Sequence, residues 1–508
     1  MTTEVTASAT AEDSTSRDAW EGFATGPWTE DVDVRDFIQR NYTPYDGDAS
    51  FLAGATDKTL SLWETLEEKY LKEERKVRIL DVDTDTPSDI DAFEPGYISE
   101  VDDVIVGLQT DSPLKRERIE GILASLTWEE KLNQAQVTFK MSLEECLEAA
   151  RGGIGALFWP GSAADANAVQ RAAVEESAHA IPLLIGLDVI HGQRTIFPTP
   201  LAMAASFSPD VARACAAVSA AEARSGGVTW TYSPMVDVSR DPRWGRVAEG
   251  FGEDPLLSAE MGAAMVAGYQ RERLGSPGAV VATAKHYIGY GAAEGGRDYN
   301  TVDMSDQRLR SVYLPPFAAC VEAGAGAVMA SFNTVNGRPV HASRRLLTGV
   351  LKGELGFTGA VVGDASGVEN LIPHGVAADL ADAATTSLTA GLDVEMGGHL
   401  YDPAARPEAP ALLSDDDPAL VARVDDAVRR VLALKMALGL FENPYVDEGA
   451  EITAPTGAHL AAARAAAEKC PVLLTNDGTL PIAPTARRIL LAGNLGADHG
   501  AVTANALP

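Results

Sequence analysis

The chain has 508 residues, 46% of them hydrophobic, a mean hydropathy of −0.04 and a net charge of −32 at neutral pH. This is an ordinary globular composition, long enough for several domains. A strongly negative surface repels the phosphates of nucleic acids and anionic membranes, so we expect neither as a partner.

Residues 1–116 form a separate acidic segment that carries a net charge of −16, half of the total. After a Thr- and Ser-rich start, the segment is predicted to be mostly helical. Its beginning has neither the basic nor the apolar region of a signal peptide. The cysteines of the chain are dispersed and form no Cys-x-x-Cys pair: Cys146, Cys215, Cys320 and Cys470. We therefore expect a cytoplasmic protein without disulfides, metal or other cofactors.

Three stretches of this segment resemble the N-terminal end of pyruvate formate-lyase, a glycyl radical enzyme. They are DVRDFIQRNYTPYDGDASFLAGATDKTLSLWETL at 33–66, AFEPGYI at 92–98 and DDVIVGLQTDSPLKR at 102–116. The resemblance covers about residues 15–116 and is expected to end there. That family uses adjacent cysteines and a radical-bearing glycine loop, and this chain contains neither. The simplest interpretation is a joined reading frame near residue 116.

From residue 117, strand-like runs alternate with helical stretches. Thr127 and Glu130 form a capping box that predicts the start of a helix. Apolar runs then follow at 152–159, 181–189, 229–236, 280–287, 326–333, 359–365 and 392–396. This alternation predicts an α/β fold, namely a (β/α)8 TIM-type barrel over residues 117–445. A doubly wound open sheet is the alternative.

Polar residues stand at the carboxyl ends of several predicted strands: Asp188, Lys285, His286, Asn333 and Asp364. A single aspartate after a strand is typically a turn residue or a helix cap. Several polar strand ends in register are harder to explain in that way. Catalytic groups of parallel barrels collect at this end, so we predict the functional site there.

Motifs across this region resemble glycoside hydrolase family 3, which comprises β-glucosidases and related exo-acting glycosidases. They are GLDVIHG (186–192), RDPRWGRVAEGFGEDP (240–255), AKHYIGYGAAEGGRDYNTVDMSDQRLRSVYLPPF (284–317), VMASFNTVNGRPV (328–340), GELGFTGAVVGDASGV (353–368), TAGLDVEM (389–396) and VRRVLALKMALGLFENPY (428–445). The resemblance runs to about residue 497. It implies a barrel followed, over residues 446–508, by a linker and the incomplete start of an α/β sandwich domain.

The resemblance also implies roles for individual residues. Asp364 matches the nucleophile of a retaining glycosidase, which forms a covalent glycosyl-enzyme. The residues that match the family's sugar-binding groups are Asp188, Arg246, Lys285 and His286. Trp244, Glu249 and Met329 lie in the same motifs and are equally consistent with structural support. The implied substrate is a small oligosaccharide or an aryl or alkyl β-glycoside, and a homo-oligomer is left open.

Two positions depart from the family pattern, and one group is missing. Ala365 stands where the family often has Trp, and Phe332 where some members have Tyr. In the β-glucosidase branch the acid/base is a Glu of the sandwich domain, in a part that this sequence does not contain. We therefore expect impaired hydrolysis. A catalytically inactive sugar-binding protein and a fragment of a formate acetyltransferase are the alternatives.

Overall fold

The computed structural model describes residues 113–139, 142–397, 413 and 415–490. Of the acidic segment predicted over residues 1–116, residues 1–112 lie outside the described residues, and residues 113–116 belong to a helix that continues past residue 116. The domain boundaries at 116 and 445 stay predictions.

Eight short parallel strands form the centre of the described structure. They are β1 (Gln136–Thr138), β2 (Ala156–Phe158), β3 (Leu184–Leu187), β4 (Trp230–Thr231), β5 (Thr283–Tyr287), β6 (Ala327–Ala330), β9 (Ala360–Val362) and β10 (Glu395–Met396). The two remaining strands, β7 (Thr334–Val335) and β8 (Arg338–Pro339), form an antiparallel hairpin after β6.

The eight parallel strands follow one another round a ring. One sheet has the order β10-β1-β2-β3-β4 and the other β5-β6-β9. Parallel bridges between Trp230 and Val281, and between Met235 and Lys285, join the β4 segment to the β5 segment, and a bridge between Val362 and Val394 joins β9 to the β10 segment. The predicted α/β fold of TIM type is therefore confirmed, because an open sheet would not return to its first strand.

Helices alternate with these strands. The α-helices are α1 (Pro113–Ser125), α2 (Trp128–Gln134), α3 (Leu143–Arg151), α4 (Ala163–Arg171), α5 (Pro200–Ala204), α6 (Pro209–Ser225), α7 (Pro255–Gln270), α8 (Asp306–Arg308), α9 (Pro315–Glu322), α10 (Leu380–Ala390), α11 (Pro418–Ala437) and α12 (Gly457–Lys469). The predicted capping box of Thr127 and Glu130 is present at the start of α2. Among the described helices, none combines the length and the apolar character that crossing a bilayer requires.

A buried ionic network ties barrel strands to the helices around them. Asp393 is fully buried and accepts hydrogen bonds from Lys352 Nζ at 2.7 Å, from the Val361 N–H at 2.7 Å and from the Arg423 guanidinium. These groups come from β9, a π-helix (Arg345–Glu354) and α11. Because the carboxylate is enclosed by donors from three elements, it fixes their relative positions.

The last described residues form one helix and then an exposed stretch. Helix α12 packs through Ala466 against Phe197, Met203 and Cys215 of the barrel. The predicted sandwich domain should begin with a helix and a strand; the structure contains no strand over residues 470–490, and residues 491–508 lie outside the described residues. Leu474 and other apolar side chains are exposed there. A segment without a neighbouring strand has no partner for its backbone groups, so no ladder forms.

We expect Asp393→Ala to lower the free energy of unfolding by about 3–5 kcal/mol, because it leaves buried cations without their carboxylate. Urea denaturation followed by circular dichroism measures this loss. Glu468→Ala is the matched control, since it removes the carboxylate of an exposed pair with Arg464 on α12 and should change the stability by less than about 1 kcal/mol. Equal effects of the two substitutions would contradict a structural role for the buried network.

Candidate active site at the carboxyl end of the barrel

A pocket of about 600 Å³ opens next to Asp364, which follows β9. Its lining residues are Arg246, Tyr299, Phe332, Asp364, Ala365, Asn370, Pro373 and His374. Predicted site residues Asp188, Lys285 and His286 lie at the same end of the barrel: His286 contacts the Asp364 carboxyl group, and the charges of Lys285 and Asp188 act on it. Asn333 is different, because it is fully buried and its amide donates to backbone carbonyls.

The Asp364 side chain is only 14% exposed. Its Oδ1 accepts a hydrogen bond from the Ala365 N–H at 2.8 Å, whereas the buried Oδ2 has no hydrogen-bond partner among the described residues. Burial raises the pKa of Asp364 to about 6, against the opposing influence of Lys285 and Arg246. The carboxyl group is thus mainly ionised at neutral pH, and its Oδ2 is available to a further partner.

His286 stands beside Asp364 and is oriented by Asp237. Its Nδ1 lies 2.8 Å from Asp237 Oδ2, and the same oxygen accepts the His286 backbone N–H at 2.9 Å. Burial lowers the pKa of His286 well below its ordinary value and raises the pKa of Asp237 to about 7. A neutral imidazole that donates Nδ1–H to Asp237 leaves Nε2 as an acceptor, 3.5 Å from Asp364 Oδ2.

The other predicted residues form two ion pairs. The buried Lys285 Nζ donates to Asp188 Oδ2 at 2.6 Å, and Asp188 Oδ1 has no partner in the described part of the chain. Arg246 donates to both oxygens of Glu249, at 2.7 and 2.9 Å. Burial opposes the charge of Glu249, but the Arg246 guanidinium holds the pKa of that carboxyl below its ordinary value. In each pair the positive charge is balanced by a carboxylate next to Asp364. Asp188 Oδ1 remains available to accept a hydrogen bond.

Aromatic side chains support this arrangement. Trp244 is buried, donates its Nε1–H to Asp298 at 2.9 Å and packs edge-on against Tyr290 at 5.2 Å. The Arg246 guanidinium lies 5.8 Å from the centre of the Tyr290 ring. Met329 is buried within β6. Trp244 and Met329 therefore act through packing, whereas Glu249 holds the arginine.

Tyr299 forms one wall of the pocket and adopts a backbone conformation that is rare for its type. Its φ is +65°, the residue is 57% exposed, and its ring lies edge-on to Phe332 with ring centres 5.0 Å apart. A bulky residue with positive φ is held there by its surroundings, and such positions cluster at functional sites. The small side chain of Ala365 also lines the pocket.

Sequence reasoning missed three residues that shape the site: Asp237, Tyr299 and His341. Asp237 directly follows the apolar run at 229–236, where an acidic residue signals a buried partner. Tyr299 lies within the GGRDYN stretch, whose glycines signalled an irregular loop. His341 contacts the backbone of Asp364 from 23 residues away, and no local pattern indicates that contact.

Comparisons with protein families give two matches. Residues 127–434, more than half of the chain, match the glycosyl hydrolase family 3 N-terminal domain. Residues 27–178 match a pyruvate formate lyase-like domain. The second match extends past residue 116, where the resemblance was expected to end, into residues that form β1 and β2 of the barrel.

Several relatives are named as glycosidases. A periplasmic beta-glucosidase of Salmonella typhimurium is 40% identical over 71% of this chain and 48% of its own length. A beta-xylosidase of Formosa agariphila is 38% identical over 60% of this chain and 43% of its own length. A beta-glucosidase from Listeria innocua, solved in complex with glucose, superimposes with a TM-score of 0.66 at 38% identity, over 72% of this chain and 53% of that one. The chain spans about half the length of the curated relatives it matches.

The raised pKa of Asp364 predicts that Asp364→Asn stabilises the fold at pH 7. Because the folded state favours the neutral form of Asp364, this group contributes most to the free energy of unfolding below about pH 4. The contribution is lost as the pH rises through about 6. The difference between 3.8 and about 6 corresponds to about 3 kcal/mol. Urea denaturation at pH 7 and pH 4 measures it: the variant should gain stability at pH 7 only. A pH-independent difference would contradict this account.

Proposed function

The chain belongs to glycosyl hydrolase family 3, and on that premise we propose that it is a retaining exo-acting β-glycosidase with Asp364 as its nucleophile. The observation that carries the proposal is the unpartnered Oδ2 of Asp364, buried beside the pocket among Lys285, Arg246 and His286. Relatives named beta-glucosidase and beta-xylosidase support a β-glycoside substrate. A glucoside is the preferred substrate because the structural relative was solved with glucose.

In the first step, Asp364 Oδ2 attacks the anomeric carbon, and the bond from that carbon to the leaving-group oxygen breaks. A glycosyl ester forms, and the leaving group takes up a proton. In the second step, water attacks the same carbon, loses a proton and releases the carboxylate. Lys285 and Arg246 favour the ionised carboxylate that both steps need.

The two ion pairs and His286 recognise the sugar hydroxyls. Asp188 Oδ1 is an acceptor without a hydrogen-bond partner in the described structure, His286 Nε2 is a second acceptor when Nδ1 carries the proton, and the Arg246 guanidinium supplies donors. A pyranose offers adjacent hydroxyls that both donate and accept. A ligand without those hydroxyls would leave buried polar groups unpaired, at about 1–3 kcal/mol each.

The proton donor is not among the carboxyl groups described around the pocket. Each of these is already engaged: Asp188 by Lys285, Asp237 by His286, Glu249 by Arg246 and Asp298 by Trp244. Because general acid/base help contributes about 10²–10⁴-fold, this chain should hydrolyse alkyl glycosides slowly. Glycosides with good leaving groups should react faster.

The engaged carboxylates also favour a second candidate, a sugar-binding protein without turnover. Formate acetyltransferase chemistry is not proposed. Cys146, Cys215 and Cys320 are buried, and burial raises the pKa of the Cys215 and Cys320 thiols to about 12. Such thiols do not supply the thiolate or the access that this chemistry needs.

A 2-deoxy-2-fluoro-β-glucoside with a dinitrophenyl leaving group should label Asp364, because this reagent needs little acid assistance. Intact-mass spectrometry should show one adduct, lost in Asp364→Asn and slowed in Asp188→Ala and Arg246→Ala. The rate should fall as the pH drops below about 6, since only the ionised carboxylate attacks. Asp241→Asn, on the surface beside Arg243, is the control. An adduct on another residue would contradict the assignment of Asp364, and the absence of any adduct on the folded protein would favour the binding candidate.

Tyr299 should contact the leaving group. Replacing it by Ala removes an aromatic face worth about 0.5–1.5 kcal/mol, so the dissociation constant of an aryl thioglucoside should rise about 2–10-fold. A methyl thioglucoside should bind unchanged, and Tyr299→Phe should retain the aryl preference. Calorimetry measures these constants without turnover. Equal losses for both ligands would place Tyr299 outside the leaving-group site.

A further inference from the structure

His341 lies beneath the turn that carries Asp364 and outside the pocket lining. It follows the β7–β8 hairpin and is 1% exposed. Its Nδ1 is 3.0 Å from the carbonyl oxygen of Ser331, directly after β6. Its Nε2 is 3.3 Å from the backbone nitrogen of Asp364. The ring therefore connects the ends of two barrel strands.

These two contacts allow a single protonation state. The Ser331 carbonyl oxygen can only accept a hydrogen bond, so Nδ1 must carry the proton. The Asp364 N–H can only donate, so Nε2 must be unprotonated. Burial acts in the same direction and lowers the pKa of His341 to about 4. The imidazole is thus neutral and confined to the Nδ1–H tautomer.

The Asp364 turn is shaped around this ring. A Cβ on Gly367 would lie 2.4 Å from His341 Nε2 and 2.5 Å from its Cε1, and a Cβ on Gly363 would lie 3.2 Å from Nε2. Ser366 has a φ of +56° and donates its N–H to the Met396 carbonyl at 2.8 Å. The turn is therefore anchored to β10 on one side and to His341 on the other.

We propose that His341 is a positioning residue for the nucleophile: its Nε2 fixes the backbone of Asp364 so that the carboxylate points at the anomeric carbon. The inference rests on the proposed function of Asp364 and assigns a role to a side chain that does not touch the substrate. Loss of this acceptor frees the Asp364 N–H and the strained Ser366 turn. The rate of ester formation then falls, while sugar affinity is retained.

Three variants of the full chain separate the two contacts. In His341→Gln the amide oxygen reaches the Nε2 position and accepts the Asp364 N–H. In His341→Asn the shorter amide reaches only the Nδ1 position and donates to Ser331. With the fluoroglucoside, we expect the maximal labelling rate to fall about 10²-fold in the Asn and Ala variants and less than tenfold in Gln. The reagent concentration at half-maximal rate should stay within twofold.

His179→Ala is the matched control, since this histidine contacts Glu130 in a different region. Circular dichroism and thermal midpoints identify variants that fail to fold, and equally stable Gln and Asn variants exclude a purely structural explanation. Labelling of the Asn and Ala variants at the wild-type rate, while the wild type is labelled on Asp364, overturns the positioning role alone. An unlabelled wild type overturns the proposed function and this role with it.

A measurement without ligand tests the tautomer. In protein labelled with ¹⁵N-histidine, the resonances that His341→Gln removes should show a protonated Nδ1 and an unprotonated Nε2 at neutral pH. Resonances of the Nε2–H tautomer, or of a doubly protonated ring, would contradict the geometry from which the proposal starts.

Discussion

The burial of one carboxyl group, that of Asp364, is the constraint on which the rest of the site depends. A carboxylate taken out of water loses its hydration, and the surrounding protein must replace part of it. Lys285 and Arg246 do so at a distance, and the Ala365 N–H does so directly. Each of these cations has a carboxylate of its own, so the region gathers many charges without a large local excess. These groups replace only part of the lost hydration, so the pKa of Asp364 stays raised and its Oδ2 remains available to a ligand.

Closure of the barrel brings together residues that are far apart in the chain. Asp188 and Lys285 are separated by 97 positions, yet the ring of strands places both at one rim. A closed sheet also leaves the strand ends little freedom, because each strand is held on both sides. Side chains at the ends of these strands are therefore held in fixed positions, whereas the surrounding loops determine the shape of the pocket. Asp393 and its donors maintain the same geometry from behind.

The barrel and part of its rim were predictable from sequence for a simple reason. An apolar run that ends in a polar residue indicates both a buried strand and the position of its carboxyl end. On this basis the sequence predicted Asp188, Lys285, His286 and Asp364 at the carboxyl end of the barrel. Contacts between distant backbone and side-chain atoms leave no such pattern, so Asp237 and His341 were missed. Tyr299 was missed because its position depends on a strained loop, and propensity argues against that conformation. Whether residues after α12 pair as a strand depends on a neighbouring strand, which local sequence does not encode.

The glycines around His341 have a consequence for how this turn can change during evolution. A methyl group at position 367 meets the imidazole, so Gly367→Ala is unfavourable while His341 is present. A smaller residue at position 341 removes the contact with the imidazole and leaves a tighter-than-usual contact of 3.1 Å with the Asp364 carbonyl oxygen. The two positions are thus epistatic, since the effect of either substitution depends on which occurs first. Once a side chain at position 367 occupies the space of the imidazole, histidine at position 341 becomes unfavourable in turn.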